Sequence, residues 1–269
     1  MTAAAEQKLE LPPAAAAGPV AVLEVGTGER FNALSSPQWR ALELTARDLA
    51  ADASVRAVVI RGAGGTFCSG SDLREWQDAT GADVSDAFAA IEGALQAIES
   101  IPVPTVALVQ GVAAGAGCQL ALACDLQVLE ASAQIGMPIA RLGMLIPPTF
   151  ANRMSMRIGP SRTKDLLFGG RLLTAREALT IGLVSTVVPA GGAPEEVAQL
   201  TARWSAMSQA SLRASKAAVN EALAPLDGPA RAVLQGPAAD PEEFFQRVNR
   251  FLHHGRPSTS NARKPPNDR

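Results

Sequence analysis

The chain reads as an α/β protein that ends in a helical region. Three observations carry this. Short runs suited to buried strands alternate with helical stretches between residues 20 and 188. Two of those runs open into glycine-rich turns with almost no side chains. From Pro194 to Leu252 the apolar spacing is helical throughout, so strand–helix alternation gives way to helices alone. At 269 residues, 47% hydrophobic and 19% charged, the chain is long enough for one large domain with a substantial core. A formal charge of −2 offers no electrostatic attraction to nucleic acid or to an anionic membrane. No apolar run approaches the length of a membrane span.

Residues 1–18 are Ala/Pro-rich with no periodic pattern, which predicts a mobile tail; they lack the basic start and continuous apolar core of a signal peptide. Val20–Val25 is expected as the first strand, ended by Gly26, Thr27 and Gly28. Pro37 then suits the first turn of a helix that Trp39, Leu42, Leu44 and Leu49 continue to about Ala50. Residues 55–60 form a second buried strand. The following glycine cluster fails as a dinucleotide fingerprint, because Phe67 stands at the third glycine position. Val84, Phe88, Ile91, Leu95 and Ile98 set a core-facing helix over 83–100, and Pro102 and Pro104 end it before a strand at Thr105–Val109. Strands follow at 126–129, around 134–135 and at 184–188, with helices at 161–168 and 174–181. Residues 256–269 are basic and aperiodic, a second mobile tail. Cys68, Cys118 and Cys124 sit among small or apolar neighbours in a chain with two histidines. They read as reduced core thiols of a cytoplasmic protein, with no metal-ligand spacing.

Chemistry concentrates in the two turns. In 111–125, GVAAGAGCQLALACD, a buried strand leads into a loop of Gly and Ala that opens a helix. Such a turn presents backbone N–H groups at the positive end of a helix, a place for an anion or for a carbonyl oxygen that becomes anionic. Close helix–strand packing by small residues is the other reading, and both stand at this level. In 67–73, FCSGSDL, Gly70 between serines signals a tight turn, and Asp72 can cap a short helix after it.

Taken together, these stretches resemble the signatures of the crotonase (enoyl-CoA hydratase/isomerase) superfamily. FCSGSDL is similar to the family's Phe-Cys-Ala-Gly-Ala-Asp-Leu, and PTVALVQGVAAGAGCQLALACDLQVLEASAQIGMP to its second signature. GPSRTKDLLFGGRLLTAREALTIGLVSTVVP matches a third block, and FFQRVNRFLHHGRP is similar to the terminal helix. The resemblance implies a spiral of ββα repeats over residues 19–190, a C-terminal helical trimerisation region over 191–255, and a homotrimer or homohexamer. It implies an acyl-CoA thioester as substrate, with coenzyme A as part of that substrate and no separate cofactor. It also implies an oxyanion hole made by the backbone N–H groups of Ser71 and Ala116, where the family usually has glycine at the latter. Ser69, Gly70, Leu73, Gly115 and Ile139 fall on the substrate-binding positions, and Arg74 on one that often faces CoA phosphate.

Two positions break the family pattern. Where hydratases carry a pair of glutamates, this chain has Gln119 and Ile139. An amide can orient water but exchanges no proton near neutral pH, and isoleucine does neither. The expected activity is therefore a lyase or isomerase of the enoyl-CoA hydratase type with atypical acid–base residues, Gln119 orienting a water or the substrate. A decarboxylase, a thioester hydrolase and a non-catalytic acyl-CoA-binding subunit are the alternatives. Among nearby carboxylates, Asp125 reads as a hydrogen-bonded turn former, Glu130 as exposed and Glu75 as a helix charge. Arg141 is a candidate to bind a substrate carboxylate, or else a salt-bridge partner. His253 and His254 read as surface residues.

Overall fold

The computed structural model describes residues 15–16, 19–77, 79–232 and 241–254. Apart from Ala15 and Ala16, the two expected tails lie outside the described residues. The elements run β1 (Ala15–Ala16), β2 (Val20–Val25), β3 (Ala33–Leu34), α1 (Ser36–Ala51), β4 (Ala57–Gly62), β5 (Gly70–Ser71), α2 (Gly81–Glu99) and β6 (Thr105–Val109). There follow β7 (Val112–Ala114), α3 (Ala116–Ala123), β8 (Leu126–Glu130), β9 (Gln134–Gly136), α4 (Pro148–Gly169), β10 (Leu172–Thr174), α5 (Ala175–Thr180) and β11 (Thr186–Val188). Three helices end the described chain: α6 (Ala193–Ala206), α7 (Gln209–Ala232) and α8 (Pro241–His254). This is the expected α/β architecture with a C-terminal helical region.

The main sheet has the order β1-β2-β4-β6-β8-β11, parallel except for β1. All five residues of β6 and the first four of β4 are buried, which is why both read as unbroken apolar runs rather than alternating ones. Two small sheets, β10-β9-β7 and β3-β5, sit beside it and carry the glycine turns. Helices α1, α2 and α5 each begin with a capping box, from Ser35/Gln38, Thr80/Asp83 and Thr174/Glu177.

Four local expectations are corrected. The helix placed at 161–168 is the second half of α4, which begins at Pro148 and is interrupted at Gly159 (φ +77°) and Pro160. Leu44 is 61% exposed; the buried stripe of α1 is Trp39, Leu42, Ala46 and Leu49, at spacings of three and four. The strand expected at 55–60 runs from Ala57 to Gly62. Glu130 ends β8 and is buried, with its carboxylate accepting from Gln110 Nε2 at 2.8 Å. Asp125 is the hydrogen-bonded group expected: its Oδ2 accepts from Thr105 N and Oγ1 and from Lys216 Nζ, tying α7 to the start of β6.

Candidate active site

The first turn lies between two templates. On one side Ser69 N–H donates to Phe31 O (2.9 Å) and Asp72 N–H to Leu34 O (2.9 Å), while β3 pairs in parallel with β5. On the other, Cys68 N–H donates to Val112 O (2.9 Å) and accepts at its carbonyl from Ala114 N–H (3.0 Å). Gly70 has φ +104°, and a Cβ there would stand 2.8 Å from Ala114 O and 3.2 Å from Ala116 N. Only glycine lets the two turns abut this closely. The backbone next to Ser71 is thus brought against the N–H of Ala116, though the two turns are some forty-five residues apart in sequence.

The second turn pivots on Gly115, whose φ +55° and ψ −123° no side-chain-bearing residue adopts readily. Its N–H donates to Gly136 O (2.9 Å), and a Cβ on it would meet nothing within 4 Å, so open space lies directly beside the turn. Ala116 starts α3, an eight-residue helix buried along its whole length. The first N–H groups of a helix have no intrahelical acceptor; here the ladder opens with Gln119 N–H to Gly115 O (3.2 Å), leaving those before it at the helix's positive end. Gly117 fits because a Cβ would fall 2.0 Å from Cys68 O.

Gln119 is fully buried. Its Oε1 accepts from Arg153 Nη1 (3.1 Å) and its Nε2 donates to Phe150 O (3.4 Å). It belongs to a charged cluster that the sequence reading missed. Arg153, 6% exposed, donates to Glu99 Oε1 (2.6 Å) and Glu92 Oε1 (3.4 Å), and Thr149 Oγ1 donates to Glu92 Oε2 (3.2 Å). Burial pulls the Arg153 guanidinium down, but Glu99 and Glu92 more than offset it and hold its pKa above the usual value. Glu92, breaking the apolar run AIEGALQAI on α2, was the one sequence signal of this cluster.

Ile139 lies in the turn Pro138–Leu142, half-buried against the main core. Leu73 and Trp76 lie in the turn Leu73–Trp76, capped by Asp72, whose side chain accepts from Arg74 N–H. Helix α8 packs on both turns, with Phe244 buried against the Trp76 ring at 5.8 Å. Arg74 and Arg141 are exposed, and the Arg141 stem passes beside Gly170. Ser69 Oγ donates to Arg30 O (3.3 Å), and Glu75 accepts from Ser36 N and Oγ, a structural duty. The three cysteines are free and buried; burial pushes the Cys68 and Cys118 thiols up to about 12 and Cys124 higher still. Among the described residues no group of three or more His, Cys, Asp or Glu is placed to hold a metal ion, and no helix is long and apolar enough to cross a membrane.

The fold and the paired turns define a crotonase-type α/β protein. The model of the enoyl-CoA hydratase/isomerase family matches residues 16–236. A probable enoyl-CoA hydratase of Mycobacterium tuberculosis is 35% identical over 204 residues, 76% of this chain and 78% of that one. The mitochondrial methylglutaconyl-CoA hydratase of Mus musculus is 31% identical over 209 residues, 76% of this chain and 67% of that one. Among solved structures, an enoyl-CoA hydratase from Mycobacterium avium subsp. paratuberculosis superposes with a TM-score of 0.78 at 27% identity, covering 88% of this chain and 96% of that one. An enoyl-CoA hydratase/isomerase from Xanthobacter autotrophicus gives 0.76 at 28% identity, covering 87% and 90%. The chain belongs to the enoyl-CoA hydratase/isomerase family of the crotonase superfamily.

Proposed function

We propose that the protein binds an acyl-CoA thioester and polarises its carbonyl between the N–H groups of Ser71 and Ala116, stabilising a thioester enolate. The observation that carries this is the contact of the two turns: Gly70, beside Ser71, approaches Ala116 N closely enough that a Cβ would stand 3.2 Å away. Two preorganised donors converging on one point suit an oxygen whose negative charge grows during reaction, and each is worth about 10²–10³ in rate. Ser69, Leu73, Gly115 and Ile139 border this point in the proposal, with Arg74 and Arg141 at its exposed rim.

Hydration by a glutamate pair is not supported. Gln119 has both ends of its amide in protein hydrogen bonds and Ile139 carries no proton. We therefore assign Gln119 a bracing role in place of water orientation. Decarboxylation, which needs the oxyanion site but no activated water, fits the residues better than hydration or thioester hydrolysis, both of which must activate water. Self-association as a trimer or hexamer is part of the proposal, supported by exposed apolar side chains on α4 and α7, Met156, Phe168, Val219 and Leu223. The test is steady-state hydration of crotonyl-CoA by the native protein, Gln119→Glu and Gln119→Glu/Ile139→Glu, with free CoA and CO₂ followed on malonyl-type thioesters. The proposal expects negligible native hydration and a gain in the double variant. Native hydration at an ordinary enzymatic rate would refute the reading of both positions.

A further inference from the structure

Ahead of β3 the chain makes a turn that L-residues avoid. Arg30, Phe31 and Asn32 all have positive φ, +49°, +55° and +55°. Left-handed backbone is unfavourable for each such residue, and strain of this kind persists only where its surroundings over-determine it. One side chain bonds across the turn on both of its faces. Asn32 is 1% exposed; its Oδ1 accepts from Gly28 N–H (2.8 Å), and its Nδ2 donates to Ala63 O (2.8 Å) and Thr66 O (2.5 Å), with Phe67 O at 3.4 Å. A Cβ on Gly26 would collide with it at 2.3 Å, so the space around it is filled by backbone. Asparagine is suited on two counts: it tolerates this conformation, and it offers a donor and an acceptor at one branch point.

What the strained turn holds is the first donor loop. Phe31 O accepts from Ser69 N–H, Arg30 O from Ser69 Oγ (3.3 Å), and Leu34 O from Asp72 N–H, while Arg30 Nη1 clips Asp72 Oδ2 at 2.6 Å. The backbone on both sides of Asn32 is therefore the template on which residues 69–72 lie, and Thr66 and Phe67, held by its amide, lead into them. We propose that Asn32 is a positioning residue for the oxyanion hole: its amide locks the left-handed turn that sets the Ser71 N–H at its distance from Ala116. This rests on the proposed oxyanion reading.

The test uses butyryl-CoA isotope-labelled at its carbonyl carbon, which has no double bond to hydrate. Infrared difference spectra report the carbonyl stretch of the bound thioester, which falls when two donors grip the oxygen. Asn32→Asp changes one group without changing volume, and sets a carboxylate against three carbonyl oxygens. The facing segments, 26–28 and 62–67, carry no ionisable side chain, and Glu29 and Arg30 flank it on its own turn. A carboxyl so placed keeps its proton well above the usual value of about 3.9, and its neutral form again has an O–H to donate. The expected result is that Asn32→Asp at a pH of about 8 loses the lowered stretch while butyryl-CoA affinity stays within about threefold, and that the stretch returns at a pH of about 5.5. Retention of the lowered stretch at the higher pH overturns the proposal and leaves the oxyanion reading intact. Loss of affinity in parallel with the stretch, at both pH values, overturns it too, since a general loosening moves both. Absence of any lowering in the native protein sinks the oxyanion reading, and the proposal with it. Should Asn32→Asp unfold at the higher pH by circular dichroism, Asn32→Gly decides: it keeps the left-handed backbone, lacks every side-chain bond, and is expected to lose the lowered stretch at both pH values.

Discussion

Arg153→Met is the perturbation that tests the buried cluster most directly. The guanidinium serves three acceptors at once: Glu99 at 2.6 Å, Gln119 at 3.1 Å and Glu92 at 3.4 Å. Methionine roughly keeps the apolar stem and removes the charge, leaving Glu92, 4% exposed, with no cation in its place. Breaking a buried pair from one side costs about 3–5 kcal/mol, because the remaining charge stays desolvated. For a domain of this size each kcal/mol lowers the melting midpoint by about 2–4 °C, so the variant should melt about 6–20 °C below the native protein. The pH dependence fixes the cause. The penalty is that of a carboxylate buried without its cation, so the deficit is expected in full at neutral pH and to be small in strong acid, where carboxyls are protonated in the folded and unfolded states alike. Melting curves at acid and neutral pH measure this. A deficit below about 1 kcal/mol, or one equally large at acid pH, refutes the ion-cluster account. Adding Glu92→Gln and Glu99→Gln to Arg153→Met should recover at least half of the loss, since matched removal of buried charges is far cheaper than removal of one partner.

Gly70→Ala places a Cβ 2.8 Å from Ala114 O at a φ of +104°, and should separate the two turns. We expect kcat on whichever thioester the native protein turns over to fall by about 10²-fold or more, as for loss of one oxyanion donor; a fall under about threefold would count against the paired-turn site. The buried thiols predict alkaline lability. Cys68 and Cys118 ionise near 9 when unfolded and at about 12 in the fold, so their stabilisation is complete below the unfolded value and is lost as pH rises toward the folded one. The slope is up to about 1.4 kcal/mol per pH unit per thiol. With no tyrosine in the chain to titrate in that window, urea midpoints between these values should fall steeply, and Cys118→Ala should flatten the slope by one thiol.

Backbone devices were legible in the sequence and side-chain networks were not, for a physical reason. A glycine turn announces itself through residues adjacent in the chain, so 67–73 and 111–125 are legible in the sequence alone. A cap such as Asp72 or Ser35 is equally local. Arg153 is different. Its partners on α2 lie 54 and 61 residues away, and a buried arginine has the same letter as a solvated one. Glu130 reads as exposed because the end of a strand and the start of a loop look alike in sequence; its partner, Gln110, lies 20 residues upstream. Asn32 stood in plain view between a glycine turn and a strand. What marks it is a run of three positive φ angles, and composition does not reveal that where the residues are not glycine.

The division between backbone and side chain also bears on chemistry. In the proposed site the donors are main-chain groups, which do not depend on which side chain occupies Ser71 or Ala116, so that electrostatic half would survive substitution. The proton-handling half depends entirely on side chains, and Gln119 and Ile139 supply none. General acid–base help is worth about 10²–10⁴ per group, so losing both groups slows hydration by about 10⁴–10⁸ if the two contribute independently. An oxyanion hole alone, at about 10²–10³ per donor, cannot restore that to a reaction that must also activate water. It suffices better where the substrate carries its own leaving group, as a β-carboxylate does when it departs as CO₂ and leaves the enolate for the two N–H groups to hold. The crotonyl-CoA rate therefore separates the two cases by several orders of magnitude, far more than any difference in affinity among related thioesters would produce.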